Sequence, residues 1–146
     1  MRYQVPVALL QETFDVLRGC GGGQRECQVL WTSWWADPHL ICSVIHPRHR
    51  AHGGGFEIES EWINSVWLDL ARRDQGIRVQ IHTHPYEAFH SAVDDAYPIL
   101  HHVGFLSLVI PDFARGAVSF DRAYLAEIVA DGRWREIAPK DRLEII

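Results

Sequence analysis

The sequence predicts an α/β or α+β fold: a mixed, curved β-sheet with helices lying against it. Three observations carry this. Apolar residues recur at helical spacing in two long segments. Several short β-branched runs sit between turn-forming residues. The order reads helix, two strands, helix, strand, helix, then strands, with no internal repeat or low-complexity stretch. The 146 residues suit one domain spanning 1–146, and 47% hydrophobic with 23% charged is an ordinary globular balance.

The elements follow in order. Residues 6–17 place Val7, Leu9, Leu10, Phe14, Val16 and Leu17 at roughly helical spacing, and the glycines from Gly19 to Gly23 end the helix. Those glycines lack the Lys-Ser/Thr of a phosphate-cradling loop. Residues 26–33 and 40–45 read as neighbouring strands joined by a turn at Ala36-Asp37-Pro38. Residues 46–55 are polar and punctuated by Pro and Gly. They read as a solvated loop, with a second metal site at His46, His49 and His52 as the less favoured alternative. Ser60 is expected to cap a helix over 61–73, with Ile63, Val66, Trp67 and Leu70 as its buried stripe. Residues 105–110 form a strong strand. Asp131-Gly132 predicts a hairpin of the type I′ class between strands at 124–129 and 133–137.

The stretch from Gln80 to Asp95 carries the chemistry. It is entered through the β-branched run Ile77-Arg78-Val79, so His82 and His84, two apart on a strand, project to one face. Pro85 cannot donate to a sheet ladder and should end the strand. Ser91 and Asp94 form an N-cap signature for a following helix, which Pro98 should kink or end. Two imidazoles from a strand end and a carboxylate from the first turn of a helix can converge on one point. That donor set suits Zn²⁺ with its fourth corner left for water, a catalytic rather than a structural site.

His82-Thr-His84-Pro followed by Ser91-x-x-Asp94, with an upstream Glu at a strand start, resembles the JAMM motif of the MPN+ (JAB) metalloprotease domain. The resemblance spans essentially the whole chain. It implies one Zn²⁺ held by His82, His84 and Asp94, with Ser91 supporting the developing oxyanion and Glu26 acting as general base. Glu12 is a weaker candidate for the base. Members hydrolyse isopeptide or peptide bonds beside the C-terminus of ubiquitin or ubiquitin-like proteins, which implies such a protein and its conjugates as partners. The loop from Pro85 to His90 is one residue shorter than the family's usual spacing. His90 is expected to point away or to contact substrate. The short chain looks like a compact stand-alone member, as in bacterial operons that pair such a protease with activating and conjugating enzymes, several of which serve antiphage defence.

Other classes fit less well. Two His and one carboxylate also describe the facial triad of Fe(II) oxygenases, but those folds are nearly all β. A non-catalytic MPN scaffold would have lost its ligands. Processing of a sulfur-carrier protein's tail remains an alternative substrate within the same chemistry. A net charge of −5 and scattered Arg pairs argue against nucleic acid. The absence of a signal-like start and of a long apolar run predicts a cytoplasmic protein without membrane contact. Cys20, Cys27 and Cys42, an odd count without CxxC spacing, predict reduced thiols rather than a disulfide framework.

Overall fold

The computed structural model describes residues 1–52, 55–96 and 98–146, with side chains over 50–57 and at Val93 left aside. Its centre is an eight-stranded sheet built from β1 (Tyr3–Val5), β2 (Gln28–Trp34), β3 (Asp37–Ile45), β6 (Gln75–Thr83), β7 (Leu106–Ile110), β8 (Tyr124–Ile128), β9 (Trp134–Ile137) and β10 (Leu143–Ile145). The strand order is β10-β1-β3-β2-β6-β7-β8-β9, and β4 (His49–His52) with β5 (Gly55–Ile58) makes a separate hairpin. Pairing is mixed. β6 runs antiparallel to β2 and parallel to β7, so the chain must cross over between β6 and β7, and the crossover carries α3 (Ala92–Ala96).

Each helix covers one face. α1 (Val7–Gly21) buries Leu9, Leu10, Phe14 and Leu17 against Val29, Trp31, Val79, Ile81, Leu106, Leu108 and Leu125. It ends because Gly22 adopts φ 58°, an αL cap whose N–H donates to the Arg18 carbonyl at 2.9 Å. α2 (Ser60–Arg72) lies over the other face, where Leu70, Trp62, Val66 and Trp67 pack with Leu30, Ile77, Phe105 and Ile128. A register shift beside Trp31 moves Ile77 to the face opposite Val79 and so feeds both layers. Among the described residues no helix is long and apolar enough to cross a membrane.

Several sequence expectations need correction. The turn between β2 and β3 is Trp35-Ala36, while Asp37 and Pro38 already belong to β3. Ser60 is the first helical residue, and the cap position is Glu59 without a side-chain bond. Asp131 and Gly132 both take positive φ, but the hairpin closes through the Val129 N–H to the Arg133 carbonyl at 2.8 Å. It is therefore a three-residue connection rather than a two-residue turn. Residues 46–55 are not a plain loop, because β4 and β5 pair across them; residues 53–54 and the side chain of His52 lie outside the described residues. The helix after Asp94 ends at Ala96, ahead of Pro98, with residue 97 outside the described residues. Cys20 and Cys27 are joined as a disulfide, contrary to the expectation of reduced thiols, and Cys42 is free.

Candidate metal centre

β6 delivers the first two donors. Gln80 and His82 lie on one face, opposite Ser107 and Val109 of β7, while Ile81 and Thr83 face the α1 layer or its edge. The strand's end is held from both sides. The Thr83 N–H donates to the Cys27 carbonyl at 3.1 Å, and the Cys27 N–H returns a bond to Thr83 Oγ1 at 3.0 Å. Beyond it, the His84 N–H donates to the Ile110 carbonyl at 2.9 Å and the His84 carbonyl accepts from the Phe113 N–H at 2.8 Å. Both rings are thus fixed by backbone on either side, and His82 and His84 are only 2% and 4% exposed.

α3 delivers the third donor. The Ser91 N–H donates to Asp94 Oδ2 at 2.9 Å and the Asp94 N–H donates to Ser91 Oγ at 3.1 Å, a reciprocal capping box. The cap sets the Asp94 side chain against the strand. Asp94 Oδ2 stands 3.2 Å from both His82 Nε2 and His84 Nε2, and the two Nε2 atoms are 3.3 Å apart.

This near-equilateral triangle can be tested against a metal. Ligands at roughly 2.0–2.1 Å from a tetrahedral ion stand about 3.3–3.4 Å from one another. The three edges match that span, and the set of two imidazole nitrogens and one carboxylate oxygen leaves a fourth corner open. His82, His84 and Asp94 therefore fit a single divalent ion. Electrostatics agree. Burial raises the Asp94 carboxyl, but hydrogen bonding to His82 and His84 outweighs it, so the group is held well below the usual carboxylate range and stays ionised.

Glu26 directly precedes Cys27, whose backbone is bonded to Thr83, and this brings its carboxyl into the field of His84, His82 and Asp94. Burial pushes it above its ordinary value, the two imidazoles pull it down, and Asp94 adds to the rise. Glu12, by contrast, lies on the exposed face of α1. Ser91 sits at the triangle's edge through its bonds to Asp94.

His90 is not one of the three converging donors; its ring turns inward, to Asp95 and Ser107, rather than toward solvent. Its side chain is 3% exposed, with Nδ1 2.5 Å from Asp95 Oδ1 and Nε2 3.0 Å from Ser107 Oγ. Ser107 in turn accepts from Gln80 Nε2 at 3.0 Å, and the His90 ring packs 4.7 Å from Trp134 and 6.2 Å from His82. This layer beneath the triangle had no local sequence signal, because Ser107 and Trp134 reach it from strands distant in the chain.

No family model matches the sequence. The chain is 32% identical over 126 residues to a curated Sinorhizobium fredii protein named "Probable metalloprotease y4jG", covering 83% of this chain and 78% of that one. Its fold resembles the solution structure of a Desulfitobacterium hafniense protein, with TM-score 0.68, 12% identity and coverage of 99% and 92%. It also resembles the crystal structure of a JAB1/MPN domain protein from Archaeoglobus fulgidus, with TM-score 0.58, 10% identity and coverage of 99% and 98%. The motif, the fold and the metalloprotease relative agree, and the chain belongs to the JAMM/MPN (JAB) metalloprotease family.

Proposed function

We propose that the chain is a zinc-dependent isopeptidase or peptidase that cleaves at the C-terminus of a ubiquitin-like protein. The observation that carries this reading is the Nε2–Nε2–Oδ2 triangle with a half-buried glutamate in its field. His82, His84 and Asp94 would hold a Zn²⁺, which would supply Lewis acidity toward the scissile carbonyl and a water whose pKa is lowered to about 7. Glu26 takes a proton from the attacking water on its carboxylate oxygen and returns it to the departing amine nitrogen. Burial raises its pKa above the ordinary value, the direction that favours holding the proton between the two steps. Ser91 Oγ already accepts from the Asp94 N–H, so its own hydroxyl proton is the one it can donate to the developing oxyanion.

The substrate's tail runs extended past the site, where strand-like backbone pairing provides affinity and a Gly-rich sequence permits close approach. The segment from Pro85 to His90 borders that path: Tyr86 and Phe89 are 76% and 51% exposed, and Phe89 meets the His84 ring edge-on at 4.5 Å. The β4–β5 hairpin is the opposite border. In this reading the partners are a ubiquitin-like protein, its conjugates and its activating and conjugating enzymes, in the cytoplasm of a cell that uses the system for defence. A sulfur-carrier protein with a C-terminal extension would meet the same groups.

The test is turnover of linear fusions and isopeptide conjugates of ubiquitin-like proteins, and of a C-terminally extended sulfur carrier, alongside zinc content by ICP-MS. Glu26→Gln is expected to keep zinc and lose turnover by ~10²–10⁴, while His84→Ala loses both. A Gln variant that cleaves at the wild-type rate removes Glu26 from its role.

A further inference from the structure

We propose that Cys20, Cys27, His46 and His49 form a second, structural Zn²⁺ site in the reduced protein, a closed Cys₂His₂ centre distinct from the catalytic triangle. One donor atom from each residue lies within 4.8 Å of the other three. Cys20 Sγ is 3.4 Å from His49 Nε2, and Cys27 Sγ is 3.2 Å from His46 Nε2. A tetrahedral zinc with Zn–S near 2.3 Å and Zn–N near 2.0–2.1 Å sets such sulfur–nitrogen edges at about 3.5–3.6 Å. The sulfur–nitrogen edges need only small shifts to reach it, while the two sulfurs, bonded in the disulfide, must separate to about 3.8 Å once reduced.

The bonding around His49 favours an ion over a plain crosslink. His49 Nδ1 is 2.8 Å from the Pro47 carbonyl, which can only accept, so in the neutral ring Nδ1 carries the proton. Nε2 is then the ring's acceptor nitrogen and faces Cys20 Sγ, and an imidazole N–H on a backbone carbonyl is the usual outer partner of a metal-bound histidine. Two-electron reduction of the disulfide, by a thiol or a phosphine that is itself oxidised, frees both sulfurs, and each thiol gives up its proton on binding Zn²⁺. The disulfide and the zinc centre are alternative states of the same two sulfurs.

The four ligands come from three stretches: Cys20 from the last turn of α1, Cys27 from the entry to β2, and His46 with His49 from the β3–β4 connection and the first residue of β4. Among the described residues the β4–β5 hairpin forms a two-stranded sheet of its own, apart from the eight-stranded one. A metal here anchors the hairpin's root to α1 and to the residue following Glu26. The centre is structural because all four positions are filled by protein, which leaves no corner for substrate.

The experiment uses the full chain, purified and held under a phosphine reductant, with zinc counted by ICP-MS and cobalt as a spectroscopic substitute. Wild type should hold two zinc ions per chain, His84→Ala one, Cys20→Ser one, and the combined variant none. Cobalt-loaded wild type and His84→Ala should both show a thiolate-to-cobalt charge-transfer band that Cys20→Ser lacks. His46→Ala, altering an exposed ligand, should also lose one zinc with its circular dichroism spectrum unchanged; it keeps the test open should Cys20→Ser not fold. A folded, reduced chain whose zinc does not depend on Cys20 or His46, and whose cobalt form lacks the thiolate band, overturns the proposal. So does a Cys20–Cys27 bond that persists under the reductant. Failure of the catalytic site would leave the thiolate band in place, so the two readings fail separately.

Discussion

The role proposed for Glu26 sets one residue's function against the stability of the fold. Burial holds its carboxyl above the ordinary value of 4.5, with His84 and His82 pulling down and Asp94 pushing up. A folded-state value above the unfolded one means the native state binds this proton more readily. The associated stability is therefore present at low pH and lost as pH rises through the folded value, so at neutral pH the ionised group is a net cost. Glu26→Gln should accordingly raise the Tm of the metal-free protein slightly while abolishing turnover, measured by differential scanning calorimetry beside the cleavage assay. Ser91 makes a different separation. If its main work is to hold Asp94 through the reciprocal cap, Ser91→Ala costs ~1 kcal/mol of stability and ~10–100-fold in metal affinity. If its proton also stabilises the oxyanion, a further ~10²–10³ in kcat persists at saturating zinc. Titrating activity against zinc distinguishes the two.

At the scale of elements, the parts legible in the sequence were those whose signals are local. The β6–loop–α3 unit announces itself within sixteen residues through β-branched periodicity, a strand-ending Pro85 and the Ser91–Asp94 cap, and the structure brings His82, His84 and Asp94 together there. What stayed hidden depends on partners far along the chain. Three-residue β1 has no pattern of its own and exists because β10 and β3 pair on either side of it. The Cys20, Cys27, His46 and His49 cluster is drawn from separate elements, so the sequence offered only its histidine half, as the less favoured reading of residues 46–55. The seating of α1 on β2 is also long-range, and it rests partly on one polar contact within an apolar layer. Thr13 Oγ1 accepts from the Trp31 indole N–H at 2.8 Å while donating to the Leu9 carbonyl at 2.9 Å, and both residues are fully buried. Thr13→Val keeps the shape but strands the indole proton, so it should cost about 1–3 kcal/mol in urea unfolding. Thr13→Ser, which keeps the hydroxyl, should recover most of that. Equal losses in the two variants would mean that the methyl group, not the bond, carries the seating.

For the whole molecule, the last connection dictates the sheet's curvature. β9 lies at one edge of the eight-stranded order and β10 at the other, yet only residues 138–142 separate them. Laid flat, seven strand spacings would put those edges about 34 Å apart, whereas six Cα steps reach ~20 Å even fully extended. Part of that link is the helical turn α4 (Pro139–Arg142), which shortens it further. The sheet must therefore curl until its edges approach. Arg142 occupies the closure. Its Nε donates to the Met1 carbonyl at 2.9 Å, and its guanidinium pairs with the Glu127 carboxylate on β8, which Arg135 also holds at 2.6 Å. Arg142 and Glu127 are largely buried in this pair, and Arg135 is mostly exposed. Removing the buried partner should leave Glu127 poorly compensated and free the N-terminal strand's edge, so Arg142→Met should destabilise by about 3 kcal/mol. Arg135→Met, breaking the solvated half of the same network, should cost less than about 1 kcal/mol. Urea denaturation of the two variants at low and high salt measures the difference, which should narrow little with salt because the Arg142 pair is shielded from it. Equal costs would show that the edges are held by strand pairing alone.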